Sequence, residues 1–254
     1  MKADVATDNM VSIITPIFNS EKYIEQCIAS VIKQTHTNWE HLVIDDCSSD
    51  SGPLKVKETA KNEKRLKYIR LTKNSGAGIA RNKGISLARG KYVAFLDSDD
   101  IWHPEKLEKQ LKFMIDNDYC FTFTSYGFID VQGKKIEGEM RAKHTVTYQK
   151  ALYKNPIGCL TAVYNVEKLG KVFMPEIRKR QDFALWLKLL KKTNAYGLQE
   201  CLAFYRKGNE SISSNKLKLI PYEWKIYRKE EGLSFFESLF YLITASILKL
   251  KSYF

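Results

Sequence analysis

Two aspartates one residue apart, Asp97 and Asp99, follow the apolar run Tyr92–Leu96 (YVAFL) and frame the triplet Asp97-Ser98-Asp99. Carboxylates so spaced after a strand can hold a hard divalent cation through oxygen. Magnesium or manganese there takes its other ligands from water and a diphosphate. The same residue types equally suit a turn with a helix N-cap at Ser98 or Asp100. A second acidic pair, Asp45-Asp46, ends the run His41–Ile44 and precedes Cys47-Ser48-Ser49-Asp50. A carboxylate at that place can accept from a base imide or a ribose hydroxyl, or can cap a helix. The segment Gly76–Gly84 (GAGIARNKG) is glycine-rich without being a dinucleotide fingerprint. Arg81 stands where the third glycine belongs, and the segment follows the third strand rather than the first. A tight turn feeding a helix fits it better, with Arg81 and Asn82 facing a site. Arg81 there can contact phosphates or a base, or pair with one of the acidic clusters. Asp182 opens an apolar helix, where a carboxylate interacts favourably with the helix dipole.

These residues need elements to hold them. Val11–Thr15 (VSIIT), His41–Ile44, Leu66–Leu71 and Tyr92–Leu96 read as short buried strands. Between them, Glu21–Gln34, Leu54–Lys64 and Gly76–Ala88 read as helices, the first with one clear apolar face. Alternation of this kind predicts an α/β fold, a mostly parallel sheet flanked by helices. In such sheets ligands bind outside the carboxyl ends of the strands, near a switch in strand order. Pro16–Asn19, Asp45-Asp46 and Asp97–Asp100 all lie at such ends. Further on, the pattern predicts a helix over Glu105–Ile115, a strand over Cys120–Ser125 and a hairpin or loop region over Gly127–Thr147 with its turn at Gly133-Lys134. It also predicts a strand over Ile157–Asn165 and a helix over Asp182–Lys191, with Trp186 in the core rather than against a sugar.

The chain has 254 residues with 44% hydrophobic and 28% charged, ordinary for one folded α/β domain with an appendage. Its net charge of +12 is not ordinary and favours polyanionic partners, whether nucleic acid, phosphorylated substrates or an anionic membrane. Five scattered cysteines without a CxxC pair, and a polar Met1–Met10, point to a reduced, cytoplasmic setting and away from structural zinc. The tail Leu233–Phe254 is different in kind. Its longest uncharged run, Ser238–Leu248, is too short to span a bilayer, and it is flanked by Lys225, Arg228, Lys229, Lys249 and Lys251. An amphipathic helix lying on anionic lipid suits this pattern; a helix packed on protein is the alternative.

Taken in order, TPIFN (15–19), VIDDCSSD (43–50), SGAGIARNKGI (75–85), GKYVAFLDSDDIWHPEKLEKQ (90–110) and QDFALWLKLL (181–190) resemble the family-2 glycosyltransferases. The resemblance runs from about Val11 to about Arg206. It implies a GT-A fold, a nucleotide-binding half (11–115) and an acceptor-binding half (116–230) in one catalytic domain, between an N-terminal extension (1–10) and the amphipathic tail (231–254). It implies an inverting enzyme using Mn2+ or Mg2+ to move a hexose or N-acetylhexosamine from a UDP-sugar to a saccharide, on a lipid carrier at the inner face of the plasma membrane. By position, Pro16 and Phe18 line the base pocket, where the family more often has Tyr, and Asn19 and Ser98 lie with them. Asp46 meets the uracil, Arg81 stays near the nucleotide, Asp97 approaches ribose and metal, and Asp99 is the main metal ligand. Asp182 is the general base, although Gln181 stands where the family often has Glu. A sugar nucleotidyltransferase would carry a basic Gly-rich signature after the first strand, where this chain has TPIFN. A basic nucleic-acid-binding protein is allowed by the charge but has no recognised motif.

Overall fold

The computed structural model describes residues 9–208 and 219–251. Its N-terminal half is a parallel sheet in the order β3-β2-β1-β4, made by β1 (Val11–Ile17), β2 (Trp39–Asp45), β3 (Leu66–Arg70) and β4 (Tyr92–Phe95). Helices α1 (Ile24–Ile32), α2 (Gly52–Asn62) and α3 (Ala77–Leu87) connect them. Every residue of β1, β2 and β4 is buried, the burial on both faces that parallel strands require. The two-residue period sorts β1 between two cores. Ile13 and Ile17 join Cys27, Ile28, Leu107 and Leu111 under α1 and the later helix over Lys106–Asp116, whereas Ile14 joins Ala80, Ile85 and Phe95 under α3.

The sequence-based expectation ended the first strand before Pro16; the strand instead continues through Pro16 to Ile17. The ladder explains why. Ile17 O accepts from Asp46 on the β2 side, and Ile14 O accepts from Leu96 on the β4 side. Pro16 therefore directs its missing N–H toward β4. Pairing with β4 has already ended at Ile14–Phe95, so no ladder bond is lost. Beyond that point β1 and β4 part, and the sheet has its switch in order there.

The second half begins with β5 (Ile101–Trp102), α4 (Lys106–Asp116) and β6 (Phe121–Ile129), then β7 (Lys135–Met140), β8 (Thr145–Val146) and α5 (Tyr148–Tyr153). It continues through β9 (Val163–Asn165), α6 (Val166–Leu169), α7 (Gln181–Leu190) and β10 (Ala195–Arg206). These strands extend the same sheet as β9-β6-β10-β5, with β7 and β8 attached beside β6 and β10. Of their pairings β10 on β6 is parallel and the longest, and the others are antiparallel and shorter. The expected strand over Ile157–Asn165 is extended only from Val163. A 3-10 turn occupies Cys159–Thr161, closed by Thr161 donating through N and Oγ1 to Gly158 O. The expected turn at Gly133-Lys134 is the β6–β7 hairpin tip, where Asp130 Oδ1 accepts from Gln132 and Lys134 and Gly133 adopts φ 87°. Trp186 is fully buried, edge-on to Phe95 at 5.7 Å and beside Phe121 at 5.4 Å, and is core as expected.

The C-terminal region is helical. After α8 (Ile220–Lys225) and a π-helical turn (Ile226–Glu230), α9 runs over Phe235–Lys251. Glu237, which interrupts the apolar run in the sequence, completes a capping box: Ser234 N donates to Glu237 Oε2 (2.8 Å) and Glu237 N to Ser234 Oγ (3.3 Å). One face of α9 packs on α5 and the π turn through Tyr153–Tyr241 (5.1 Å) and Tyr227–Tyr241 (6.0 Å), with Ser238 and Ala245 buried. A second stripe, Phe236, Phe240, Ile243 and Ile247, is exposed, Phe236 by 80%, with Phe240 still edge-on to Tyr153 at 6.1 Å. Among the described residues no helix is long and apolar enough to cross a membrane. Residues 1–8 of the expected extension, the 209–218 part of the expected catalytic domain, and residues 252–254 of the tail lie outside the described residues, as do the side chains of Lys249 and Lys251.

Candidate active site

The crevice between the parted ends of β1 and β4 gathers most of the residues singled out by their chemistry. After β1, Phe18 is half exposed, whereas Pro16 is buried within the strand. Asn19 adopts φ 50°, a left-handed conformation that asparagine tolerates. Its Oδ1 accepts from Ser49 N at 2.9 Å and its own N donates to Ser48 Oγ at 3.1 Å, so this side chain ties the β1 loop to the β2 loop. The tie is repeated nearby: Glu21 N donates to Asp50 Oδ2 (2.7 Å), and Ser51 Oγ donates to Glu21 Oε2 (2.8 Å). Ser98 makes the corresponding link to the β4 loop, its Oγ lying 2.8 Å from Ser20 Oγ.

Asp46 is 2% exposed, and its two oxygens accept from Ser75 N and Gly76 N, both at 2.7 Å. Gly76 has φ 92°, which only glycine adopts readily, and the carboxylate thereby fixes the turn into α3. Asp45 is wholly buried and structural, accepting from Ser48 N, Tyr68 Oη (2.6 Å) and Arg70 (3.1 Å); burial and this carboxylate push the Tyr68 phenol up to about 12.

α3 lies unusually close to the sheet. A Cβ on Gly84 would stand 2.5 Å from Ile14 Cγ2, and one on Gly78 would stand 2.8 Å from Gln181 Cγ. This approach brings Arg81, 7% exposed, into a salt bridge with Asp97 Oδ1. Burial opposes the guanidinium charge most, but Asp97, Cys159 and Asp182 together outweigh it, so Arg81 is held firmly protonated. Asn82 faces the other way, exchanging hydrogen bonds with the Met174 backbone (2.8 Å each).

Asp99 is exposed, and its acidity is weakened first by partial desolvation and then by Asp97. A carboxylate whose proton affinity is raised beside another suits a divalent cation, which removes the repulsion. Among the described residues no group of three or more His, Cys, Asp and Glu side chains is placed to hold a metal unaided. Asp97 keeps one oxygen beyond its bond to Arg81, and Asp99 faces solvent. That donor set fits a hard, partly hydrated Mn2+ or Mg2+ whose remaining ligands come from a diphosphate.

Asp182 sits in the first turn of α7, behind Arg180, whose φ of 65° breaks the chain into the helix. Burial raises the Asp182 pKa, while Arg180 and Arg81 act to lower it. Arg180 is itself pinned by the buried Glu223 of α8 at 2.9 Å.

Arg206, at the end of β10, is 3% exposed and was not among the residues picked from the sequence. Its Nε donates to Asp99 O (2.7 Å), its Nη1 to Asp130 O (2.9 Å) and Val131 O (3.3 Å), and its Nη2 to Gln26 Oε1 (2.7 Å). Its backbone N reaches Asp100 Oδ1 at 2.9 Å, and its guanidinium lies over Tyr23 at 4.5 Å. Asp100 is 1% exposed, and burial raises its pKa strongly, with Asp99 and Asp97 adding to the shift. Arg206 thus joins the Asp97–Asp100 loop, the β6–β7 hairpin tip and α1. The only sequence signal was an arginine ending an apolar stretch, LAFYR, which many surface strands share.

Residues 12–173 match the family model described as glycosyl transferase family 2. A Bacillus subtilis protein, TuaG, named for teichuronic acid biosynthesis, is 46% identical over 230 residues, covering 90% of this chain and 91% of the relative. An Escherichia coli protein, WfgD, named as a UDP-Glc:α-D-GlcNAc-diphosphoundecaprenol β-1,3-glucosyltransferase, is 40% identical over 221 residues, covering 86% and 85%. Among solved structures, residues 1–349 of Staphylococcus aureus TarS in complex with UDP-GlcNAc superpose with a TM-score of 0.69 at 26% identity, over 85% of this chain. The chain spans 65% of that fragment's length.

Proposed function

The chain belongs to glycosyl transferase family 2, and from that premise we propose that it moves a hexose or N-acetylhexosamine from a UDP-sugar to a saccharide on a lipid carrier, with inversion at the anomeric carbon, in cell-surface polysaccharide assembly. One observation carries this assignment. A single buried guanidinium, Arg81, is bonded to Asp97 and electrostatically coupled to Asp182, which gathers the carboxylate pair and the candidate base into one small site. The UDP-GlcNAc complex of TarS, and the UDP-Glc and diphosphoundecaprenol in the name of WfgD, support the choice of donor and acceptor.

Asp99, with Asp97, holds Mn2+ or Mg2+. Bound there, the metal supplies the positive charge that offsets the charge growing on the departing UDP. Phe18 offers its exposed ring to the base, and Asp46 acts by holding the Ser75-Gly76 turn that borders the nucleotide. Asn19 and Ser98 keep the β1, β2 and β4 loops together around the donor. Asp182 accepts the proton of the attacking hydroxyl. Its raised pKa makes it a stronger base than an ordinary aspartate, while Arg180 and Arg81 act against the rise. One base and one displacement invert the anomeric centre.

The protein works at the cytoplasmic face of the membrane, resting on anionic lipid. The exposed stripe Phe236, Phe240, Ile243 and Ile247, with exposed Arg228 and Lys229 near its start, supports this part of the proposal.

The experiment that tests the function is UDP release from a panel of UDP-sugars with manganese, magnesium or EDTA. Release from one donor, lost with EDTA and in Asp99→Ala, is the expected outcome. Absence of both UDP release and UDP binding with either metal refutes the donor site.

A further inference from the structure

Asp182 stands in the chain between two anchored residues. Arg180, two positions before it, adopts φ 65°, a left-handed conformation that glycine takes without strain. An arginine holds that turn through its side chain: Nη2 lies 2.9 Å from Glu223 Oε1, and Glu223 is 3% exposed. Phe183, one position after Asp182, packs edge-on against Tyr227 at 6.3 Å, and the Tyr227 hydroxyl donates to Leu152 O at 2.8 Å. Glu223 and Tyr227 are four residues apart on the continuous segment of α8 and the π turn, so they lie on one face of it. The same segment grips the far end of α7, Lys188 by Glu230 at 3.4 Å and Lys191 by Glu231 at 2.7 Å. It lies beyond residue 173, where the match to the family model ends.

Two arginines act on Asp182, and each has another carboxylate as its partner: Arg180 has Glu223, and Arg81 has Asp97. A carboxylate in direct contact with a guanidinium loses proton affinity and becomes a poorer base. Glu223 therefore does two things at once, fixing Arg180 in its turn and diverting it from the aspartate two positions on. We propose that Glu223, acting through Arg180, is the positioning residue for Asp182. It sets the entry into α7 so that the carboxylate meets the acceptor hydroxyl, and it keeps Arg180 from closing on that carboxylate. This rests on the base assignment made above. Glu223 itself touches neither the substrate nor the reacting atoms. The two halves of the ion pair act on Asp182 with opposite sign. Loss of the Glu223 charge leaves Arg180 uncompensated and should lower the Asp182 pKa, whereas loss of Arg180 should raise it. The other groups facing Asp182 are Arg81 from α3, Asp97 from the loop after β4 and Cys159 from the 3-10 turn, and these stay the same throughout.

The test is a carbon NMR titration of the whole chain labelled at the aspartate carboxyls, with the Asp182 signal identified by its loss in Asp182→Asn. Its midpoint should fall in Glu223→Gln and rise in Arg180→Met. In both variants kcat should drop by about tenfold or more while KM for the UDP-sugar stays unchanged, because the donor is bound elsewhere. The double variant Arg180→Met, Glu223→Gln leaves no buried charge without its partner, so it should melt close to the wild type and still show the loss in kcat. A general loosening of the fold would not move the midpoint in opposite directions. A midpoint unmoved in either single variant, shifts of the same sign in both, or a double variant with wild-type kcat overturns the proposal. The titration needs neither donor nor acceptor. Normal turnover by Asp182→Asn would refute the base assignment separately, and the pair of shifts would still decide whether Glu223 governs this carboxylate.

Discussion

Replacing Asp182 by Asn separates a base from a structural carboxylate, because the two roles predict opposite pairs of effects. As a carboxylate at the start of α7, Asp182 would stabilise the helix through its dipole by about 0.3–1 kcal/mol, and its loss would lower stability and leave turnover alone. As a general base its loss should reduce kcat by about 10²–10⁴, equivalent to about 2.7–5.5 kcal/mol in the barrier. The structure also gives the sign of the stability change. Burial raises the Asp182 pKa above the ordinary 3.8, so the folded state binds this proton more tightly than the unfolded chain does. Ionisation at neutral pH therefore costs folding free energy, and the cost fades as pH falls through the raised pKa toward 3.8. Asp182→Asn should accordingly be as stable as the wild type at pH 7, or more so, with the difference vanishing in acid. The acid limb of the wild-type rate profile should lie above the ordinary aspartate value. The assay is acceptor-dependent UDP release beside thermal unfolding across pH. A variant that turns over normally but melts earlier at pH 7 refutes the base assignment.

Arg206→Lys keeps the charge but cannot span Asp99, Asp130, Val131 and Gln26 together. Losing two or three such bonds should cost about 2–4 kcal/mol in denaturant unfolding, and the metal concentration for half-maximal activity should rise. An unchanged metal requirement would mean the arginine serves only the fold. Gly84→Ala pushes a Cβ to within 2.5 Å of Ile14 Cγ2 and should destabilise by about 1–3 kcal/mol in a melt, with activity falling as Arg81 is displaced. The triple variant Phe236→Ser, Ile243→Ser, Ile247→Ser alters only exposed positions of α9, so UDP release should persist while co-sedimentation with anionic vesicles is lost. Equal sedimentation of variant and wild type would remove the lipid-docking role from this stripe.

The N-terminal half was legible in the sequence because β1, β2 and β4 are buried on both faces, and each shows as an apolar run closed by Pro or Asp. The C-terminal half was less legible. β10 alternates poorly, since Gln199-Glu200 falls at a register shift between Leu198 and Cys201, and polar residues there hide a strand of 12 residues. β5 is two residues long and defined by its partner alone. Sequence chemistry singled out Asp46, Asp97, Asp99 and Asp182, but what a carboxylate binds depends on the neighbours that folding supplies. Asp46 shows the difference: two backbone N–H groups from a loop some thirty residues later occupy its oxygens.

The ties among the loops around the crevice have a thermodynamic consequence. Asn19 to Ser49, Glu21 to Asp50 and Ser51, Ser20 to Ser98, and Asp46 to Ser75 and Gly76 each connect segments distant in the chain through short side chains. None of these loops can open without releasing bonds in the next, so the rim should behave as one cooperative unit in hydrogen exchange rather than as independent fraying turns. A rim ordered before its ligand arrives loses little conformational freedom on binding. The nucleotide's affinity should then reside in its contacts, with a small entropic penalty, and its arrival should leave the exchange rates of the sheet beneath almost untouched.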